Sequence, residues 1–144
     1  MISPCRSRTV QQEIQFINKV FPAYTFERIW INLTPSGATC GWNQSTPASN
    51  CQYLKDLIYN MPIGLGAPVS ISAMRKDWFL AFKDYKACPE VSEQLLWWTP
   101  DNIFDEKPNF DDYIPFGGWK VPFAKIYTGT TVCGGSIYES FYQE

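Results

Sequence analysis

The sequence predicts an α/β domain whose strands run parallel and are joined by crossover helices. Three observations carry this. Helical periodicity alternates with short apolar runs along the chain, and that alternation means a parallel sheet. No linker, internal repeat or low-complexity segment divides the chain. At 144 residues and 45% hydrophobic, it can bury a core as a single domain over residues 1–144.

The elements follow in order. Residues 9–20 place Val10, Ile14, Ile17 and Val20 on one helical face, with Ser7 as the cap. Residues 28–33 read as a buried strand. Residues 34–49 are a loop rich in Pro, Ser, Thr and Gly. Residues 50–60 read as a helix capped by Asn50 and closed by Met61-Pro62. A strand over 67–72, a helix over 75–85 and a strand over 94–98 come next. A long loop over 99–118 ends in Phe116-Gly117-Gly118-Trp119. A strand over 122–127 and a short aromatic tail over 136–142 complete the chain.

Composition excludes several functions. The net charge is −2, the sequence pI is about 5.1, and Lys and Arg do not cluster. A nucleic-acid partner needs a basic stripe, and an anionic membrane surface needs one too. No run approaches the ~20 apolar residues of a membrane helix. The chain has no histidine, which excludes Ser-His or Cys-His dyads and histidine-ligated zinc. The five cysteines form no C-x-x-C pair, so no metal site and no cofactor is expected.

Cysteines and sequons bear on compartment. Cys40 and Cys51 flank a polar loop, and a disulfide between them would staple it. The alternative is two buried thiols. Asn43-Gln44-Ser45 is a glycosylation sequon in that loop. Asn32-Leu33-Thr34 also fits the pattern but lies in a strand. Together the loop cysteines and Asn43 indicate a secreted or lysosomal/vacuolar protein. The start, Met1-Ile2-Ser3-Pro4-Cys5, has no apolar signal region. A signal peptide upstream of it is therefore expected.

Several segments in order resemble the glycoside hydrolase family 25 lysozymes, notably the nematode and protist branch. Arg28-Ile29-Trp30-Ile31-Asn32-Leu33-Thr34 is similar to the family's "IWLDIE" strand. Asp77-Trp78, Leu96-Trp97-Trp98 and Asn109-Phe110-Asp111-Asp112-Tyr113 with Phe116-Gly117-Gly118-Trp119 match later motifs. So does Lys125-Ile126-Tyr127 with Thr131-Val132-Cys133-Gly134. The resemblance implies a TIM-like β/α barrel cleaving the β-1,4 bond of peptidoglycan. It places the chain's start near the third barrel strand, so an incomplete barrel is expected.

The same resemblance puts the chemistry in question. Glycoside hydrolysis uses two carboxyl groups, which the family takes from the Asp and Glu of its "DxE" strand end. Those positions fall on Asn32 and Thr34 here. Neither an amide nor a hydroxyl donates a proton near neutral pH. The family's further acid near the last strand falls on Tyr138. Of the remaining carboxylates, Asp101 follows a strand and can face the cleft. Asp77, Asp111 and Asp112 read as surface turns, Glu27 sits at the wrong strand end, and Glu139 lies in the tail.

The expected binding residues are Asn32, Thr34, Trp98, Asp101 and Tyr127. Amide and hydroxyl groups would bond sugar hydroxyls, and rings would stack on sugar faces. Either Trp97 or Trp98 must face the helices instead. The expected partner is bacterial cell-wall glycan. Three readings follow: a catalytically impaired glycan binder or defence protein, a muramidase using other acids, or a truncated relative without function.

Overall fold

Residues 1–22, 25–33, 39–101, 107–132 and 135–142 are described by a computed structural model. Helix α1 spans Val10–Val20 and turns Ile14 and Ile17 inward. Its cap is Thr9, not Ser7. Thr9 accepts from the Gln12 amide while the Gln12 side chain accepts from the Thr9 amide. This reciprocal capping box needs Gln three residues on, and only Thr9 has it.

Helix α2 spans Pro47–Leu65, longer at both ends than its periodicity suggests. It is capped by Thr46, not Asn50, with Pro47 at the first helical position, where its missing N–H is not needed. Pro62 does not stop it. The Gly66 amide donates to the Pro62 carbonyl (3.0 Å), and Gly66 ends the helix at φ 70°. Gly64 lies against α1: a Cβ there would sit 2.7 Å from Ile14 Cγ2. Asn50 is instead a buried tie. Its Nδ2 donates to the carbonyls of Trp42 (2.6 Å) and Ala81 (2.8 Å).

The sheet has five strands in the order β1-β2-β3-β4-β5. These are β1 Ile29–Asn32, β2 Val69–Met74, β3 Leu96–Thr99, β4 Ala124–Val132 and β5 Gly135–Tyr142. β1 to β4 pair in parallel, and β5 returns antiparallel to β4. The aromatic tail is thus a full strand. Helix α3, Arg75–Phe82, follows β2 directly and ends on Lys83 in the left-handed region. Ile2 adds a parallel bridge to the outer edge of β1. This partly covers an edge that would otherwise expose unpaired amides.

Strand alternation gives the sheet two distinct faces. Ile29, Ile31, Val69, Ile71, Ala73, Leu96 and Trp98 are buried in one core with Leu54, Leu57 and Met61 of α2. Fully burying one such aliphatic side chain stabilises by about 1.5–3 kcal/mol. Trp30, Asn32, Ser70, Ser72 and Trp97 alternate with these and occupy the opposite face, called the inner face below. The sheet is open, so the inner face is not enclosed as in a complete barrel.

The long loop after β3 returns to the helix side. Phe116, Trp119 and Trp78 pack together, and Trp119 Nε1 donates to the Gln94 carbonyl (2.7 Å). Gly117 makes this possible at φ 56°, where a Cβ would come within 2.6 Å of the Trp119 ring. Lys125 of β4 is fully buried on this side, paired to Asp112 at 2.7 Å. Asp112 stands in an exposed turn, as expected, and its carboxylate also pairs with this buried cation.

The disulfides correct the expected Cys40–Cys51 pairing. Cys5 pairs with Cys40, and Cys51 pairs with Cys88. Cys51 lies within α2, where it faces the turn after α3, while Cys40 meets the N-terminal segment, with Cα atoms 4.2 Å apart. Nearness in sequence misled because the helix carries Cys51 away from its neighbour. Cys133 lies outside the described residues. Each bridge closes a long loop, with sequence separations of 35 and 37. Replacing Cys51 and Cys88 by Ala should cost about 2–4 kcal/mol in urea unfolding. An unchanged midpoint and slope would contradict the assigned bridge.

Candidate functional site

The inner face carries the strand side chains that point away from the helices. Arg28 Nη1 donates to Ser70 Oγ (2.8 Å) near the N-terminal end of β1. Above it lies an aromatic layer. Trp30 and Trp97 meet edge-to-face at 5.2 Å, and Phe123 stacks on Trp30 at 6.3 Å. Tyr142 of β5 closes the layer against Trp97 at 6.1 Å. Trp97, Ile126, Ser140, Tyr142 and Met1 line a cavity of about 350 Å³. Tyr142 is 49% exposed, so a ring face is open to a ligand.

Trp97 carries a further signal. Its Nε1 is buried and has no hydrogen-bond partner. A buried donor without an acceptor costs about 1–3 kcal/mol, so it calls for an explanation. At the C-terminal end of β1, Asn32 is half-buried and donates from Nδ2 to Ser3 Oγ at 3.2 Å.

The register decides between the two tryptophans. Trp97 pairs with Ser72 and Trp98 with Ala73. Ala73 faces the helices, and so does Trp98, which is 5% exposed. Trp98 packs edge-to-face on Tyr113 at 5.1 Å, with Lys125 Nζ 5.2 Å from its ring centre. The expected stacking role of Trp98 is therefore corrected: Trp98 is core, and Trp97 holds the inner face.

Tyr127 is placed by the same pairing, and its phenol is exposed. Lys125 and Phe141 both point to the helix side, Phe141 against Phe110 at 5.1 Å. Tyr127 and Glu139 lie two residues from them and share that side. A register irregularity between Ile126 and Thr128 brings them together. Tyr127 donates from its phenol to Glu139 Oε2 at 2.7 Å. This hydrogen bond, with smaller contributions from burial and the Glu139 charge, raises the Tyr127 pKa above its usual 10.0.

The other expected residues separate. Thr34 lies outside the described residues. Asp101 is exposed, just past the C-terminal end of β3. Asp77, in the first turn of α3, has its carboxyl raised above 3.8 mainly by burial. The Asp101 charge adds to that rise, and Lys76 opposes it. Asn43 is exposed on a short 3-10 turn, open to a glycan. Among the described residues, no Asp or Glu occupies an inner-face strand position.

The sequence matches a protein-family model described as Lysozyme-like protein 1 over residues 2–127. The chain belongs to this family. No curated protein matches the sequence. The fold is similar to a muramidase from Acremonium alcalophilum, with TM-score 0.66 and 5% identity over 95% of this chain and 62% of that one. A muramidase from Trichobolus zukalii matches at TM-score 0.65 and 11% identity, over 96% and 63%. The chain thus spans less than two thirds of either relative. A mostly parallel sheet with crossover helices, compatible with an incomplete barrel, is shared with them, in agreement with the glycoside hydrolase family 25 resemblance.

The raised Asp77 carboxyl sets a sign for stability against pH. Its proton is held more tightly in the folded chain. Its stabilising contribution is therefore fully present below the unfolded value near 3.8 and is lost as pH rises through the folded value. Wild type should lose stability relative to Asp77→Asn between about pH 3 and about pH 7. Urea midpoints of the two proteins at both pH values check this. A gain by wild type over that range would reverse the assignment.

Proposed function

We propose that this protein binds bacterial cell-wall glycan on its inner sheet face and hydrolyses it poorly or not at all. One observation carries the reading: an aromatic, hydrogen-bonding face on which no described strand position holds a carboxyl group. Sugar rings stack on aromatic faces such as Trp97 and Tyr142. Asn32 and Ser140 supply polar contacts. The cavity volume lies within the range of small-ligand sites.

The expected loss of hydrolysis follows from Asn32 and Thr34. Without a carboxyl group, no proton reaches the leaving oxygen at useful rate, and each missing acid–base group costs about 10²–10⁴-fold. A second reading is favoured by one observation. Burial raises the Asp77 carboxyl from its ordinary value, and the Asp101 charge adds to the rise, the direction an alternative acid needs. Both stand at the C-terminal strand ends, where β/α barrels place their chemistry.

The two disulfides and the exposed Asn43 support a secreted or lysosomal/vacuolar location. No helix among the described residues is long and apolar enough to cross a membrane. A role in defence would be consistent with wall binding.

Sedimentation with insoluble peptidoglycan tests the binding face. Wild type should pellet with the wall. Trp97→Ala should weaken retention by about tenfold or more, equivalent to about 1.4 kcal/mol. Trp98→Phe should lower thermal stability while retaining binding. Equal retention of wild type and Trp97→Ala would move the binding surface elsewhere.

A further inference from the structure

A second cavity, of about 550 Å³, lies on the helix side between the segment before α1 and one face of α2. Tyr53, Asp56 and Asn60 line it from α2, at the spacing of one helical face. Arg6 and Arg8 line it from the N-terminal segment. This cavity is separate from the inner face and does not depend on the glycan reading.

Both guanidinium groups are held by side chains buried behind them. Arg6 Nε donates to Asn50 Oδ1 at 2.8 Å, and Asn50 is 0% exposed. Arg6 Nη2 donates to the Ser49 carbonyl at 3.2 Å, and the group lies 4.5 Å from the Tyr53 ring centre. Asn50 cannot swing away, because its Nδ2 is bonded to two carbonyls. Arg8 Nη1 pairs with Glu13 at 3.6 Å, and Glu13 is 3% exposed. Glu13 is itself fixed by the Cys5 amide at 2.7 Å. The Arg8 group also lies over the Phe16 ring, 4.4 Å from its centre, so both guanidinium groups are held in place at the cavity edge.

Charge decides the ligand class. Two cations line the cavity, and Glu13 offsets one of them from behind. Asp56 lines the same cavity, with Oδ1 accepting from Gln52 at 2.8 Å. A polyanion would gain from the arginines and lose to Asp56. A molecule bearing both signs gains from each. Asp56 stands one turn along α2 from Tyr53, whose ring carries the Arg6 group, so both signs of charge line one wall of the cavity.

We propose that this cavity binds a short zwitterionic peptide, with its carboxylate on Arg6 and Arg8 and its ammonium on Asp56. The phenol of Tyr53 stays neutral beside the charges, because burial pushes it up to about 12.

Calorimetric titration with the dipeptide alanylalanine tests this, beside its N-acetyl form, its C-terminal amide and inorganic phosphate. The dipeptide should bind saturably, and each blocked form should bind about tenfold weaker or worse. Arg8→Gln and Asp56→Asn should each weaken the dipeptide about tenfold while retention on peptidoglycan is unchanged. Should Arg8→Gln fail to fold, the blocked forms on wild type decide the matter. The proposal is overturned by no saturable binding at ~10 mM dipeptide, by equal binding of the blocked forms, or by phosphate binding as tightly. Loss of peptidoglycan retention with dipeptide binding intact would overturn the glycan reading alone.

Discussion

The parallel register of β1 to β3 is the constraint on which the rest of this structure depends. Successive side chains alternate between faces, so a slip of one residue would exchange the two faces entirely. Ile31 and Ile71 pair across β1 and β2, and Ile71 pairs onward with Leu96. All three are essentially inaccessible. A slip would exchange these aliphatic side chains with Asn32, Ser70 and Ser72 and set polar groups against the helices. Hydrophobic burial therefore fixes where Trp97 and Asn32 must stand, with no help from the site itself.

The helix-side layer holds that register in place. Trp42, Trp78, Phe82 and Phe116 fill it, and two disulfides anchor its borders. Its polar members are tied. Asn50 satisfies both of its amide hydrogens, and Lys125 meets Asp112 and the Lys107 carbonyl. Removing one partner from such a network costs more than the bond itself is worth, because a buried polar group is left behind. Asn50 also holds Arg6, as the buried Glu13 holds Arg8, so the second cavity takes its geometry from the core.

Much of the fold was legible in the sequence, because hydrophobic period is a strong signal. The strand at Ile29–Asn32 and the helix at Val10–Val20 follow from it directly. The C-terminal strand was legible only as an apolar tail, since its partner is set by pairing and not by period. Asn32 was singled out through family likeness, and the register places it on the inner face. Trp98 was misplaced because face assignment in a strand depends on pairing register. Tandem Trp97-Trp98 has no periodicity to read. The disulfides were illegible because spacing along a chain says nothing of distance once a helix intervenes. Lys125 inside an apolar strand was the available hint that a carboxylate such as Asp112 pairs with it.

The central claim is that this face retains glycan recognition without the acid pair that hydrolysis needs. The most direct test is release of new reducing ends from purified peptidoglycan, followed over hours at several pH values beside a family member that keeps both acids. The account predicts no release above the protein-free control while the protein stays folded and wall-bound. Release at a comparable rate, abolished by Asp77→Asn or Asp101→Asn, would contradict it and place the proton donor at the rim of β2 and β3.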